Sequence, residues 1–424
     1  MPVPPEYPAL CEYIAGVSVL EIARRFGTPT FIYDAETILR RIADLEAFDY
    51  IRYAPKACSN LAILDLIRRQ GVLVEVVSAG EIRRALAAGY VVEGDPPPII
   101  YTADIFDAES LDLCIQKRIP VNCGSQDMLD QLGHREQGIG ITLRINPGFG
   151  HGHSQKTNTG GIQSKHGIWY KQIAESLARA RRHALTITGL HMHIGSGTDM
   201  HHLSQVCGAM EQAAVEVGPS LNYISAGGGL PVVYQSTDSY VDLKAYVALW
   251  DATRKRLQNE FGHPLRLEIE PGRYLVAESG YLVTEIRAVK RQEDNIFYLV
   301  DAGFNNLARP ILYGAYHPMS IAAADGNKDR PEQEVIVGGP LCESGDIFTQ
   351  LEGGYVCKRR LPLAKVGDLL VIACAGAYGF VMGSNYNSKP LAAEVLLQDG
   401  RARLIRRRQT FDDLVREERD LPAA

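Results

Sequence analysis

Lys56 closes the run Tyr53-Ala-Pro-Lys56, just after a stretch that reads as a buried strand. Lysine is seldom buried without a task. An amine desolvated at such a position loses proton affinity and can act as a Schiff-base nucleophile. A structural pairing with a carboxylate is the alternative, and spacing alone leaves both open. Gly227, Gly228 and Gly229 form a second feature. Consecutive glycines let backbone N–H groups converge on an anion; the plainer alternative is a flexible turn. Arg273 in Glu270-Pro-Gly272-Arg273 and Ser196 in His193-Ile-Gly-Ser196 would add a cation and a hydroxyl to an anion site. Glu270 ends an apolar run and needs a positive partner. Arg273 would suffice, and so would a protonated ring nitrogen. His191 and His193 share one strand face. No matching carboxylate or thiol set accompanies them in the sequence, so no metal is expected. One of the two reads better as a ring stacked on a cofactor. His151 and His153 lie in a loop rich in Gly, Ser, Thr and Asn, facing solvent or forming part of a lid.

These residues need elements to hold them. From Tyr50 to Arg273, short β-branched or aromatic runs alternate with stretches of helical periodicity. The strand candidates are Tyr50–Ala54, Leu73–Val77, Ile99–Thr102, Pro120–Cys123, Ile141–Ile145, Ile187–His193, Tyr223–Ser225 and Leu265–Ile269. The helical patterns between them include Leu61–Arg69, Glu81–Ala88, Glu109–Lys117, Leu203–Val217 and Leu243–Glu260. Glycines fall where helices should stop, at Gly71, Gly89, Gly218 and Gly262. Eight βα units over about 220 residues suit a closed barrel better than an open sheet. Polar or glycine-rich clusters follow every strand, where such barrels carry their chemistry. Beyond Gly280 short strand-like runs and turns replace the helices. The expected fold is therefore a (β/α)8 TIM-type barrel followed by a mostly antiparallel β domain. The expected domains are an N-terminal segment 1–30 joining the C-terminal domain, a barrel over 31–279 and a β domain over 280–424. The strand Thr30–Tyr33 either joins that β domain or leads into the barrel. The charged tail Thr410–Arg419 reads as helical.

Composition narrows the class. The 424 residues are 46% hydrophobic and 22% charged, with a formal net charge of −6. That profile fits a globular protein and lacks the basic footprint of nucleic-acid binding. The run Leu369–Gly383 is too short to span a bilayer and reads as a buried strand leading to a functional loop. Met1-Pro-Val-Pro-Pro has no basic and apolar signal pattern. Eight cysteines without a CxxC pair point to a reduced, cytoplasmic protein. Arg401–Arg408 reads as a solvated strand edge. No membrane or nucleic-acid partner is expected.

A lysine, a phosphate nest, a stacking histidine and a buried carboxylate together describe a site for pyridoxal 5'-phosphate. The chain resembles the alanine-racemase-fold decarboxylases that use this cofactor, and among them the bacterial members acting on meso-diaminopimelate. The motifs that carry the resemblance run nearly the whole length: YAPKACSN, VVSAGEIRRALAAGY, HMHIGSG, SAGGGL, EIEPGR, VDAGFNNLARPILYGAYH, GPLCESGD and GAYGFVMGSNYNSKP.

The resemblance implies that Lys56 holds the cofactor covalently, His193 stacks on its ring and Glu270 pairs with the ring nitrogen. It implies that Ser196, Gly227, Gly228, Gly229, Gly272, Arg273 and Tyr378 surround the phosphate. Cys342 is the implied proton donor, acting in the partner's site of a homodimer with shared active sites. Arg273, Arg309, Tyr313 and Tyr378 are implied on the substrate, Arg309, Tyr313 and Arg273 at its distal carboxylate. Glu343 of this chain is implied at the distal ammonium in the partner's site. The implied reaction converts meso-2,6-diaminoheptanedioate to L-lysine and carbon dioxide, the last step of lysine biosynthesis. Four positions depart from the family pattern: Pro55, Glu75 for the usual aspartate, Ala375 and Lys389. Alternatives are decarboxylation of ornithine, arginine, D-lysine or carboxynorspermidine, an amino-acid racemase, and a non-catalytic pyridoxal-phosphate-binding protein. Arg309 and Tyr313 suit a distal carboxylate better than a bare amine. The CESGD segment, with both the lysine and the C-terminal domain present, disfavours the last two.

Overall fold

The computed structural model describes residues 6–150, 159–193, 195 and 200–419. The chain divides into two compact units. One holds Arg41–Pro231 and Tyr240–Tyr274; the other gathers, among described residues, 6–40, Val232–Ser239 and 275–419. These limits differ from the sequence boundaries at 31 and 279.

The first unit is a closed barrel of eight parallel strands: Tyr50–Tyr53, Leu73–Val76, Ile99–Ala103, Val121–Cys123, Gly140–Asn146, Thr186–His191, Tyr223–Ser225 and Arg266–Ile269. Strand eight pairs with strand one, Ile269 opposite Ile51, and this closes the ring. A two-residue strand, Ile168–Trp169, pairs parallel with the end of the fifth. Each expected strand is present to within two residues at either end. The polar clusters after the strands have a second cause besides chemistry: several are helix caps. Asn60 accepts from the Ala62 N–H, Asp107 from Ser110 and Ser125 from Met128. Ser78 accepts from Glu81 N–H while Glu81 Oε2 takes the Val77 N–H at 2.9 Å. Such caps satisfy amides that the first helical turn leaves unpaired. At the helix ends Gly71, Gly89, Gly218 and Gly262 have φ of 77°, 92°, 92° and 74°, the left-handed region that spares them a Cβ clash.

The barrel interior is not purely apolar. Arg52 on strand one grips Glu268 on strand eight through two hydrogen bonds of 2.8 and 3.0 Å, both residues fully enclosed. Either charge alone would be costly there, so the pair stands or falls together. Thr142 and Tyr223 form a further, partly buried hydroxyl contact.

In the second unit the thirteen-residue strand Gly280–Gln292 is the hub. It pairs antiparallel with Asn295–Val300, Leu369–Ile372 and Thr30–Asp34. Thr30–Asp34 also pairs with Ala393–Gln398, which resolves the open assignment of that strand in favour of the β domain. The helix Ala35–Ala43 follows it. Four described strands of this unit were not legible in the sequence: the two-residue pair Tyr13–Ile14 and Val17–Ser18, and the longer Met319–Ala322 and Arg359–Pro362. The core of this unit packs Ile14, Val19, Ile22, Ile32, Val283, Leu369, Val371 and Val395. The tail holds only the turn of helix Phe411–Leu414 and a 3-10 turn, shorter than the expected helix. Among the described residues no helix is long and apolar enough to cross a membrane.

Candidate active site

Lys56 follows the first barrel strand in a tight turn. Ala57 N–H bonds to the Ala54 carbonyl at 3.2 Å, and Tyr53 donates its hydroxyl hydrogen to the Cys58 carbonyl at 2.8 Å. Ala54 N–H bonds to the Pro271 carbonyl, which ties this turn to the Glu270–Arg273 loop. Gly272 sits close against that turn: a Cβ would stand 3.2 Å from Ala57 Cβ and 3.3 Å from Ala54 Cβ. The expectation that Lys56 is desolvated needs correcting. Its side chain is exposed in the single chain. Its charge still acts on its neighbours: burial raises Glu75 and Glu81 and Lys56 offsets part of that rise, and after burial and Arg144 it adds to the lowering of His193.

The glycines after strand seven pack against His193. Gly227 and Gly229 have φ of 63° and 101°. A Cβ on Gly227 would meet the Met192 carbonyl oxygen at 2.5 Å, and one on Gly228 the Glu270 carbonyl oxygen at 2.6 Å. One on Gly229 would collide with the Gly195 carbonyl. Gly228 N–H donates to His193 Nδ1 at 3.2 Å. An accepting Nδ1 means a neutral ring with its hydrogen on Nε2. Burial holds His193 well below the usual imidazole range, and the charges of Arg144 and Lys56 add to this. Ser196 lies outside the described residues, as do His151 and His153.

Glu270 is buried at the end of strand eight. Ser225 Oγ donates to Oε1 at 2.7 Å, and His191 Nε2 lies 2.7 Å from Oε2. Burial alone would raise its pKa, but the attraction of His191 and the hydrogen bonds outweigh that and hold it below the carboxylate range. Glu75 is pushed the other way, by burial and then by the charge of Glu270. The expectation that no carboxylates accompany the histidines also needs correcting. Donor atoms of Glu75, His191 and Glu270 lie within 4.8 Å of one another, gathered around His191 rather than around the histidine pair. After the third strand, Asp104 receives His166 Nδ1 at 2.6 Å and the Gly167 N–H at 2.8 Å, fixing residues just past the 151–165 loop.

The remaining candidates belong to the second unit. Arg309 opens the helix Arg309–Tyr313, ended by Gly314 at φ 60°. Arg309 is buried and Tyr313 half-buried. Cys342 and Glu343 are exposed on a turn that Asp346 builds. Asp346 is buried and its two carboxylate oxygens take the N–H groups of Phe304 and Leu341 at 2.7 and 2.8 Å. Cys342 N–H bonds to Asn387 Oδ1 at 2.8 Å. Tyr378 is half-buried with φ 57°, and Cys374, four residues earlier, has φ 53°.

Thus the first unit gathers Lys56, His193, Gly227, Gly228, Gly229, Glu270, Gly272 and Arg273 from the ends of strands one, six, seven and eight. The second supplies Arg309, Tyr313, Cys342, Glu343 and Tyr378. Sequence reasoning assigned no role to Ser225, Arg144 or His191. Their signal was alternation: each lies two residues from a chosen position or a strand-end cluster, on the same face. A pyridoxal phosphate fits the residues present. The glycine cradle has no room for a Cβ, the carboxylate is held anionic and the imidazole neutral.

Residues 36–277 match the family described as "pyridoxal-dependent decarboxylase, pyridoxal binding domain". Diaminopimelate decarboxylase of Escherichia coli K12 is 55% identical over 400 residues, covering 94% of this chain and 95% of its own length. That of Streptomyces coelicolor is 52% identical over 414 residues, covering 97% and 94%. A crystal structure of a diaminopimelate decarboxylase superposes with a TM-score of 0.92 at 55% identity, over 94% of this chain and 96% of that one. The Helicobacter pylori enzyme complexed with L-lysine gives 0.83 at 31% identity, over 94% and 98%.

Proposed function

The chain belongs to the pyridoxal-dependent decarboxylase family, and we propose that it converts meso-diaminopimelate to L-lysine and carbon dioxide in the cytoplasm. The observation that carries the reading is Glu270, a buried carboxylate held anionic by His191 and Ser225 beside a glycine cradle that excludes any Cβ. Bound pyridoxal 5'-phosphate supplies the electron sink for the carbon that loses its carboxylate.

The chain's own residues do the rest. Lys56 offers the amine that tethers the cofactor. The N–H groups around Gly227–Gly229 and the charge of Arg273 hold the phosphate, joined by Ser196 and Tyr378. Glu270 supplies a fixed negative charge for the ring nitrogen, and His193 presents a neutral ring face. Arg309 and Tyr313 orient the distal carboxylate, a contact a diamine or ornithine lacks. The C–C bond to the carboxylate breaks, carbon dioxide leaves, and the Cys342 thiol gives its proton to the carbon left behind. Solvent then returns a proton to the thiol. Two copies of the chain share their sites, with Cys342 and Glu343 acting in the partner. The exposure of both residues in the single chain supports this reading. The cytoplasmic assignment is supported by the absence of a disulfide among the described cysteines.

The test is turnover of the purified protein with added pyridoxal phosphate. One carbon dioxide should appear per L-lysine formed. Ornithine, arginine, D-lysine and carboxynorspermidine should each be poorer in kcat/KM by roughly a hundredfold or more, as expected when a built polar contact goes unmade. Equal turnover of ornithine would overturn the substrate assignment.

A further inference from the structure

Arg309 is 6% exposed, yet its guanidinium is not left to find its own orientation. Nη1 donates to His317 Nε2 at 3.0 Å and to the Tyr234 hydroxyl oxygen at 3.2 Å. That commits both hydrogens of this nitrogen. The guanidinium carbon also lies over the Tyr234 ring, 5.0 Å from its centroid. His317 is 1% exposed, and its Nδ1 is 3.0 Å from the Ala373 carbonyl oxygen. A carbonyl cannot donate, so Nδ1 carries the hydrogen. A guanidinium cannot accept, so Nε2 is bare. The two contacts therefore select one tautomer of a neutral imidazole. Tyr234 and His317 in turn brace each other edge to face, with centroids 5.6 Å apart and planes at 82°.

Bidentate recognition of a carboxylate depends on the plane of the guanidinium, and an arginine side chain has several torsions to freeze before it can present that plane. We propose that His317 and Tyr234 are positioning residues that take up both Nη1 hydrogens of Arg309 and so fix the plane in which its fork meets the distal carboxylate of the substrate. The inference rests on the substrate role given to Arg309 above. Neither residue touches the reacting carbon in this account. Their effect falls on recognition of the distal end, and therefore on KM for a substrate that carries a carboxylate there.

The experiment compares Arg309→Ala, His317→Asn, His317→Gln and Tyr234→Phe in the holoenzyme. It reads kcat and KM for meso-diaminopimelate and cofactor affinity by absorbance titration. Glutamine can place an amide oxygen near the position of Nε2. Asparagine is shorter and can keep only the contact toward Ala373. His317→Asn should raise KM roughly tenfold, the loss of one hydrogen bond to a charged group, with kcat within about threefold. His317→Gln should return KM to within about threefold of wild type, and Tyr234→Phe should raise it by about threefold. Cofactor affinity should not move in any of them. The inference is overturned if Arg309→Ala raises KM strongly while His317→Asn and Tyr234→Phe leave it at the wild-type value. It is also overturned if His317→Asn lowers cofactor affinity or kcat as much as it raises KM, the sign of general damage. Should His317→Asn not fold, Tyr234→Phe, which keeps the ring and removes only the hydroxyl, decides alone. If Arg309→Ala itself leaves KM unchanged, the substrate role of Arg309 fails first and this inference falls with it.

Discussion

The charge of Lys56 registers on its neighbours: burial raises Glu75 and Glu81 and Lys56 offsets part of that, while burial, then Arg144 and Lys56, keep His193 neutral. Lys56→Ala should remove the visible absorbance band of the holoenzyme and the trapping of cofactor by borohydride. A variant that keeps both would refute the assignment. The barrel carboxylates allow a pH prediction. Glu75 keeps its proton in the folded chain above the ordinary value of 4.5, whereas the unfolded chain has lost it. The folded form binds more protons, so stability falls as pH rises from about 4.5 through the raised pKa. His193 has the opposite dependence. Its folded pKa lies below 6.5, so stability present above that value is lost as pH falls through it. Urea unfolding of cofactor-free Glu75→Gln should therefore show an advantage over wild type that grows from pH 5 to pH 8. A pH-independent difference would mean that Glu75 is ionised throughout. At this scale the sequence was legible where a residue type was conspicuous. The lysine, the glycines and the final glutamate stood out. Ser225 and Arg144 did not, because a serine and an arginine in a strand have many ordinary uses. Only the parallel pairing of strands seven and eight brings Ser225 to Glu270.

The glycine segment after strand seven can be tested as an element. Gly228→Ala puts a Cβ 2.6 Å from the Glu270 carbonyl oxygen, so backbone must move on one side or the other. The cofactor-free protein should lose about 1–3 kcal/mol, and cofactor affinity should fall by roughly tenfold or more. Gly208 is the control. It lies exposed in the helix Met200–Val217 with nothing within 4 Å of a Cβ, so Gly208→Ala should stabilise by up to about 1 kcal/mol and leave cofactor binding alone. Equal cofactor loss in both variants would argue against a cradle. The barrel strands were readable because parallel strands covered on both faces are short apolar runs bounded by turn residues. Met319–Ala322 and Arg359–Pro362 escaped notice. The first follows a proline and is four residues long, and the second begins with two arginines, one of them exposed. Their strand character comes from partners far along the chain, Leu369–Ile372 and Glu332–Gly338, which no local window contains.

Domain limits belong to the whole molecule and were the least legible. The unit containing the β domain takes residues from both sides of the barrel and the segment Val232–Ser239 from its middle. Such a division follows from contacts, not composition. The proposed sharing of sites between two copies makes a prediction at the same scale. Lys56→Ala and Cys342→Ala chains should each be nearly inactive. After exchange of subunits about half the dimers are mixed, each with one intact site, so roughly a quarter of the wild-type sites should return. An exchanged mixture that stays dead, with mixed dimers demonstrated, would mean that Cys342 acts in its own subunit or not at all. The central claim is that one carboxylate of meso-diaminopimelate leaves and one proton takes its place. The measurement that meets it directly is turnover in deuterium oxide, with the products resolved by mass and chirality. The account predicts one carbon dioxide per L-lysine, with a single carbon-bound deuterium of one configuration on the carbon that lost its carboxylate. Diaminopimelate recovered with an inverted, deuterated centre and no carbon dioxide would contradict it and make the protein a racemase.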